Sequence, residues 1–298
     1  MTSFATITVF GGTGYLGRQV VGMLADAGHP VRVAVRRPQS ELFHSRQVQQ
    51  LQADVRDSAA VASAIDGAAA VINAVGLYIE RGNDTFQAIH VDGAGRIAEQ
   101  AAASGARLIH VSGIGASETS ASRYVRARAA GERRIHKHCP EAVILRPSVL
   151  FGEDDKFLCA LAKLIRVSPV VPLFGDGGTR LQPVYVNDVA KATFEVVADA
   201  DIAAGVYELG GPDVYTYREL IDILTNHLGR RRIMLPVSFT LWEAQAALAS
   251  LLPNPPFTRD QLELMRQDNT VAEASRGFPD LHVEPQSLKT LLSRCVPR

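Results

Sequence analysis

Three glycines near the start of the chain are spaced so that backbone alone can do chemistry. Gly11-Gly12-Thr13-Gly14-Tyr15-Leu16-Gly17 follows the apolar run Thr6-Ile7-Thr8-Val9-Phe10. It leads into Leu16, Val20, Val21 and Leu24, which recur on one helical face. Strand, glycine turn and helix in that order form a cradle for the pyrophosphate of a dinucleotide. Gly11 supplies the positive φ of the turn, Gly14 lacks the Cβ that would block the pyrophosphate, and Gly17 lets the helix pack close to its strand. The N–H groups of the first helical turn, at the positive end of the helix dipole, then face the phosphates. Gly11, Thr13, Gly14, Tyr15, Leu16 and Gly17 are therefore the first candidate cofactor-binding residues.

The second group decides which dinucleotide. At the end of the second strand in such a unit, a carboxylate accepts the ribose 2′-OH of NAD, whereas arginine accommodates the 2′-phosphate of NADP. This chain has Arg36 and Arg37 directly after the strand Val31–Val35, with no acid nearby. Guanidinium binds phosphate through charge-assisted bonds, so NADP(H) is expected over NAD(H). Asp54, with Val55 beside it, ends the third strand and is placed to meet the adenine amino group; the alternative is a helix-capping loop. Asn73-Ala74-Val75-Gly76 ends the fourth strand and can back the adenosine; the alternative is a buried strand end.

The elements that must hold these residues alternate. Strands are expected at Val31–Val35, around Gln50–Ala53, at Ala70–Val75, Leu108–Ser112 and Val143–Leu145. Helices are expected from Thr85 to Ala103 and from Ser122 to His138, with a short alanine-rich helix capped by Asp57 or Ser58. That rhythm indicates an α/β protein with a Rossmann-like, doubly wound parallel sheet over residues 1–150. From Arg146-Pro147 onward the rhythm loosens, and residues 151–298 read as a smaller mixed lobe forming the substrate or partner side of the cleft. In that lobe Thr216-x-x-Glu219 and Thr258-x-x-Gln261 read as capping boxes, and residues 169–178 as a connection or a loop over the cleft. The apolar stretch 239–253 carries Trp242, which anchors either to a membrane interface or partner or into the lobe itself.

Bulk composition narrows the function classes. The chain has 298 residues, 47% hydrophobic and 21% charged, with 31 basic and 31 acidic side chains. A formal charge of zero argues against a nucleic-acid binder held by bulk charge. Cys139, Cys159 and Cys295 are scattered and odd in number, so neither a metal site nor a disulfide framework is expected, and a reducing compartment is favoured. His136 and His138 fall on different helix faces and read as surface residues. The first strand begins within a few residues of the N-terminus, and no apolar run approaches the ~20 residues that cross a bilayer. The expectation is a cytoplasmic protein, at most peripheral at the inner face of a membrane.

Several of these segments together resemble short-chain dehydrogenase/reductases of the extended and atypical branches. They are the glycine turn, Asp54-Val55-Arg56-Asp57, Asn73–Gly76, His110-Val111-Ser112, Tyr124-x-x-x-Arg128, Arg146-Pro147-Ser148 and Pro183–Ala190. Leu145–Asp155, Pro255–Gln261 and Asp268-Asn269 are most similar to one subgroup, the nucleotide-binding accessory subunit of respiratory complex I (NADH:ubiquinone oxidoreductase) and its bacterial relatives. The resemblance implies that Tyr124 is the proton donor or acceptor, that Ser112 orients a substrate oxygen, and that Pro147 joins the cofactor-binding residues. It also implies that the residue one turn after the tyrosine lowers its pKa and holds the nicotinamide ribose. Active members have lysine there; this chain has Arg128, which keeps the charge but does not release a proton near neutral pH.

Two functions of different class follow. One is an NADP(H)-binding protein with a structural, assembly or regulatory role on a membrane-associated respiratory or quinone-pathway complex. The other is an NADP-dependent oxidoreductase or epimerase acting on a quinone-like, isoprenoid or sugar-nucleotide substrate through Tyr124. A redox-sensing regulator fits the first half equally well and the C-terminal motifs less well.

Overall fold

The computed structural model describes residues 5–39, 42–249 and 259–297. The first half alternates as β1 (Ile7–Phe10), α1 (Tyr15–Asp26), β2 (Val31–Val35), β3 (Val48–Gln52), α2 (Ser58–Ile65), β4 (Ala70–Asn73), α3 (Ala94–Ser104), β5 (Arg107–Val111), α4 (Arg123–His138) and β6 (Val143–Pro147). There follow β7 (Leu150–Phe151), α5 (Lys156–Val167), β8 (Val170–Phe174), β9 (Arg180–Leu181), β10 (Val184–Tyr185), α6 (Val186–Ala198) and β11 (Gly205–Leu209). The last are β12 (Tyr215–Thr216), α7 (Tyr217–His227), β13 (Ile233–Val237), α8 (Phe239–Ala249), α9 (Arg259–Leu264) and α10 (Leu288–Cys295).

Seven strands form one sheet in the order β11-β6-β5-β4-β1-β2-β3. All its pairings are parallel. The chain moves outward from β1 to β3 and then resumes on the other side of β1 with β4. That reversal opens a crevice at the carboxyl ends of β1 and β4, where ligands of open parallel sheets bind. β1 and β4 are buried at every residue, as strands covered on both faces must be. On one face Ile7 and Val9 pack with Leu16, Val20, Val21 and Leu24 of α1 and with Val189, Ala190 and Val196 of α6. On the other, Phe10 and Val71 pack with Val61 and Ile65 of α2, Ile97 and Ala101 of α3 and Ile135 of α4.

The expected division at residue 150 does not divide the sheet. β11 joins it beside β6, and α6 covers α1, so residues beyond 150 complete the first body. What remains is a mixed lobe of short two-stranded pairings, including β13 with β8. Residues 169–178, expected as a connection or a loop over the cleft, contain a strand; Pro172 is tolerated because β8 pairs on one edge only among the described residues. The helix expected from Thr85 to Ala103 is divided into a π-helical segment, Gln87–Gly93, and α3. The capping box at Thr216 and Glu219 is present; the one at Thr258 lies outside the described residues.

Long-range polar contacts clamp the lobe to the sheet. The Asn269 side-chain carbonyl accepts from Ser148 Oγ at 2.7 Å and from Val149 N–H at 3.0 Å, fixing the turn after β6. Asp260 accepts from Ser122 Oγ and from Arg123 N–H at 2.7 Å, so α9 helps cap α4. Glu208 and Glu132 share Arg146, and Glu208 also accepts from Ala272 N–H at 3.0 Å.

Gly131 lets α4 lie against the π-helical segment, since a Cβ there would stand 2.0 Å from the His90 carbonyl oxygen. Gly131→Ala is expected to lower stability by about 1–3 kcal/mol, the usual range for overpacking. Gly22→Ala, where an added Cβ meets nothing within 4 Å, is expected to stabilise α1 by about 1 kcal/mol. Urea unfolding of the two variants checks this; equal effects would show that Gly131 is no packing requirement.

Candidate functional site

The site is built from the glycine turn outward. Gly11 takes φ +76°, and its carbonyl accepts the Gly14 N–H at 2.9 Å. A Cβ on Gly11 would fall 2.5 Å from the Ala74 oxygen, and one on Gly17 would fall 2.1 Å from the Gly11 oxygen. Gly11 and Gly17 are thus required by close backbone approach. Gly14 meets only the Gly11 oxygen at 3.1 Å and is exposed beside Thr13, so its missing Cβ keeps space open outward. No side chain caps α1, whereas Asp57, Ser122 and Asp155 cap α2, α4 and α5. The first N–H groups of α1 are left for an anion.

The Tyr15 and Leu16 side chains turn inward, away from the start of α1. Leu16 is buried in the core, and Tyr15 packs against it with a buried hydroxyl beside Gly152. Asn73 is buried, and its side chain accepts from Val75 N–H at 3.2 Å; Ala74 lies against Gly11 and Val75 against the core, with Gly76 open. Val55 is buried against Gly93.

At the ends of β2 and β3 the structure corrects one expectation: an acid is nearby. Asp84, far along the sequence, accepts from Arg36 at 2.7 Å and from Arg56 at 2.9 Å. Asp54 grips the same Arg56, accepting from its Nε at 2.9 Å, its terminal nitrogen at 2.6 Å and its backbone N–H at 2.9 Å. Those bonds, the Arg56 side chain first, hold the Asp54 carboxyl below its usual range. Arg37 is exposed at the end of β2. Arg56 and Asp84 were missed in the sequence; Arg56 stood two residues after Asp54, but nothing local pointed to Asp84.

The remaining candidates meet where β5, β6 and α4 converge. Ser112 directly follows β5 and is buried. A Cβ on the adjoining Gly113 would lie 3.0 Å from an Arg128 terminal nitrogen and 3.8 Å from the Pro147 oxygen, which puts Arg128 between the ends of β5 and β6. The Arg128 guanidinium carbon lies 5.0 Å from the Tyr124 ring centroid, over its face. Tyr78 stacks on Tyr124 at 5.2 Å, and Phe86 and His90 meet it edge-on. Tyr124 is only 6% exposed. Burial pushes its hydroxyl far above the ordinary tyrosine range; Arg128 opposes this and Tyr78 adds to it.

These residues fit a dinucleotide. The space that Gly14's missing Cβ leaves open lies over the uncapped start of α1. Ser112 Oγ, Arg128 Nε and His110 Nδ1 are buried without a hydrogen-bond partner among the described residues. Such atoms cost about 1–3 kcal/mol each unless a ligand or water meets them.

A parallel sheet with this turn, this uncapped helix and these groups defines a dinucleotide-binding α/β protein. Residues 7–210 match the NAD dependent epimerase/dehydratase family, and the chain belongs to that family. It is similar to the Arabidopsis thaliana protein NADH dehydrogenase (ubiquinone) 1 alpha subcomplex subunit 9, mitochondrial, with 35% identity over 300 residues covering 95% of this chain and 75% of that one. It is also similar to the ceramide reductase of Caulobacter vibrioides, at 33% identity over 77% of this chain and 73% of that one. Among solved structures, the Bordetella bronchiseptica enzyme WbmG in complex with NAD superposes with a TM-score of 0.68 at 17% identity, over 79% of this chain and 82% of that one, a likeness of fold.

Burial first, then the charge of Arg128, lowers His90 to about 4 and His110 to about 3 from a reference of 6.5. An unfolded chain takes up these protons near 6.5 while the folded one does not. The stability they contribute is present above that pH and lost as pH falls toward 4. The slope is at most about 1.4 kcal/mol per pH unit for each imidazole. Urea midpoints between pH 7 and 4.5 should fall less steeply in His90→Gln/His110→Gln than in the parent chain. Parallel slopes would reject the assignment.

Proposed function

We propose that the chain binds NADP(H) and uses it chiefly as a structural or regulatory ligand while docking on a membrane-associated respiratory or quinone-pathway complex. The observation that carries this reading is Arg128 lying over a Tyr124 that is buried beneath Tyr78. The guanidinium retains the positive charge that holds a nicotinamide ribose but does not relay a proton. Similarity over most of the chain to a mitochondrial NADH dehydrogenase subunit supports the choice of partner. In this reading the turn from Gly11 to Gly17 holds the pyrophosphate, Arg36 and Arg37 the 2′-phosphate, and Asp54, Val55 and residues 73–76 the adenosine. Pro147 and Arg128 flank the nicotinamide ribose. Among the described residues no helix is long and apolar enough to cross a membrane. Trp242 is buried and donates from its indole to the Leu173 carbonyl at 3.0 Å, so it packs into the lobe and does not serve as a membrane anchor. Contact with the complex then comes from other surfaces of a peripheral protein on the inner, cytoplasmic side.

A second reading is an NADP-dependent oxidoreductase or epimerase. It is favoured by the unpartnered Ser112 hydroxyl and by similarity to a ceramide reductase. A bound nicotinamide supplies the hydride in such a reaction; Ser112 would orient the substrate oxygen and Tyr124 would protonate it.

Purified protein is expected to retain NADPH and to bind it about tenfold or more tightly than NADH, with the preference lost in Arg36→Ala/Arg37→Ala. NADPH oxidation with quinone and carbonyl substrates is expected to stay at background in the parent chain and in Tyr124→Phe. Turnover that Tyr124→Phe abolishes would replace the first reading with the second. Equal NADPH affinity in the arginine variant would overturn the cofactor assignment.

A further inference from the structure

One carboxylate bridges two guanidinium groups at the adenosine end of the site, an arrangement that copies a bound phosphate. Asp84 Oδ2 accepts from Arg36 at 2.7 Å and Oδ1 accepts from Arg56 at 2.9 Å. Arg56 does not wander: Asp54 takes its Nε and other terminal nitrogen in a two-pronged grip, leaving a single N–H edge for Asp84. The cluster stays within a ligand's reach, with side-chain exposures of 59% for Arg36, 34% for Arg56 and 26% for Asp84. Arg36 directly follows β2 and Arg56 follows β3, so both stand at the sheet edge beside the glycine turn.

We propose that Asp84 is an internal substitute for the ribose 2′-phosphate, with Arg56 as a further guanidinium of the phosphate clamp beside Arg36 and Arg37, and that it sets the chain's discrimination between the two dinucleotides. The inference rests on the NADP(H) reading above. A phosphate monoester carries up to two negative charges and three acceptor oxygens, enough to satisfy both guanidinium groups when Asp84 swings away. Asp54 remains to hold Arg56 in place. A nucleotide without the 2′-phosphate leaves the Asp84 bridge intact and gains nothing from the clamp. One with it must first displace a carboxylate, so Asp84 weakens binding of the phosphorylated ligand alone. The turn that carries Asp84 is self-contained, with Arg81 and Asp84 exchanging backbone hydrogen bonds at 3.0 and 2.9 Å. Glu80 in the same turn accepts from Phe86 N–H at 2.8 Å and pairs with Arg123 at 2.8 Å. Rotation of the Asp84 side chain alone, with the turn in place, is therefore enough to free the clamp.

The opposite role for Asp84 is equally concrete: a carboxylate that accepts the ribose hydroxyls and favours the unphosphorylated ligand. Calorimetric titration of the full chain with adenosine 2′,5′-bisphosphate and with adenosine 5′-monophosphate separates the two. Asp84→Asn is expected to tighten the bisphosphate about three- to tenfold, the range for relieving two partly exposed ion pairs, and to leave the monophosphate within about twofold. Arg56→Gln is expected to weaken the bisphosphate about tenfold and spare the monophosphate. Unchanged bisphosphate binding in Asp84→Asn, equal tightening of both nucleotides, or weakened monophosphate binding would each overturn the proposal. If the parent chain binds NADPH and these variants do not discriminate, only the role of Asp84 and Arg56 falls. If the parent chain binds neither nucleotide nor NADPH, the dinucleotide reading falls with it.

Discussion

The rest of the structure depends on the backbone contact between the turn after β1 and the end of β4. Gly11 and Ala74 approach so closely that no Cβ fits between them, and Gly17 seats α1 on Gly11 in the same way. This contact brings together two loops that leave the sheet in opposite directions, and the crevice between their strands becomes a site. It also explains why α1 carries no side-chain cap. A capping side chain at Gly14 would occupy the space above the turn, and the uncapped N–H groups are tolerable because the helix end faces outward. One steric constraint thus leaves the N–H groups at the start of α1 open, in the place where the proposed dinucleotide puts its pyrophosphate.

The second half of the chain acts as a brace for that site. Asp260 caps α4 two residues before Tyr124, and Asn269 ties down the turn that follows Pro147. Asp188 accepts from the Gln286 N–H at 2.7 Å, holding the last segment against α6. Each is a side-chain oxygen on backbone N–H groups from a distant part of the chain, so losing one leaves orphaned donors as well as a lost bond. Tyr124 and Arg128 therefore owe their placement to residues more than a hundred positions away. The resemblance seen in the C-terminal motifs has a physical basis in these clamps.

Features written in local periodicity were legible in the sequence. β1, the glycine turn and α1 follow from an apolar run, three glycines and one helical stripe; β2, α4 and the Thr216 box were equally direct. What escaped depends on contacts between remote residues. The division of the helix before Ala94 is associated with Gly93 against Val55 and Gly131 against His90, which no helical pattern reveals. β8 was hidden because Pro172 and the nearby glycines are turn signals, outvoted by pairing with β13 on its free edge. For Trp242 the sequence left a membrane or partner anchor and packing into the lobe open, and the indole bond to the Leu173 carbonyl selects the second. In the site, Arg36 was visible and its partner Asp84 was not, since an ion pair between separate loops leaves no spacing to read.

The electrostatics around Tyr124 bear directly on the proposed choice between holding and turnover. Burial raises the phenol further above its ordinary range, and burial likewise keeps His90 and His110 neutral. Arg128 retains its charge at any physiological pH. A catalytic tyrosine cycles between phenol and phenolate, and that cycle needs a neighbour that stabilises the anion and a path that returns the proton. Here the Arg128 charge favours the anion, while burial and stacked Tyr78 work against ionisation, and the guanidinium gives up no proton near neutral pH. The fixed charge is well suited to bonding ribose hydroxyls, a task that needs donors and no proton transfer. In the proposed binding role, a guanidinium that keeps its charge holds the ribose, while Arg128 offers no proton to relay and Tyr78 opposes ionisation of Tyr124.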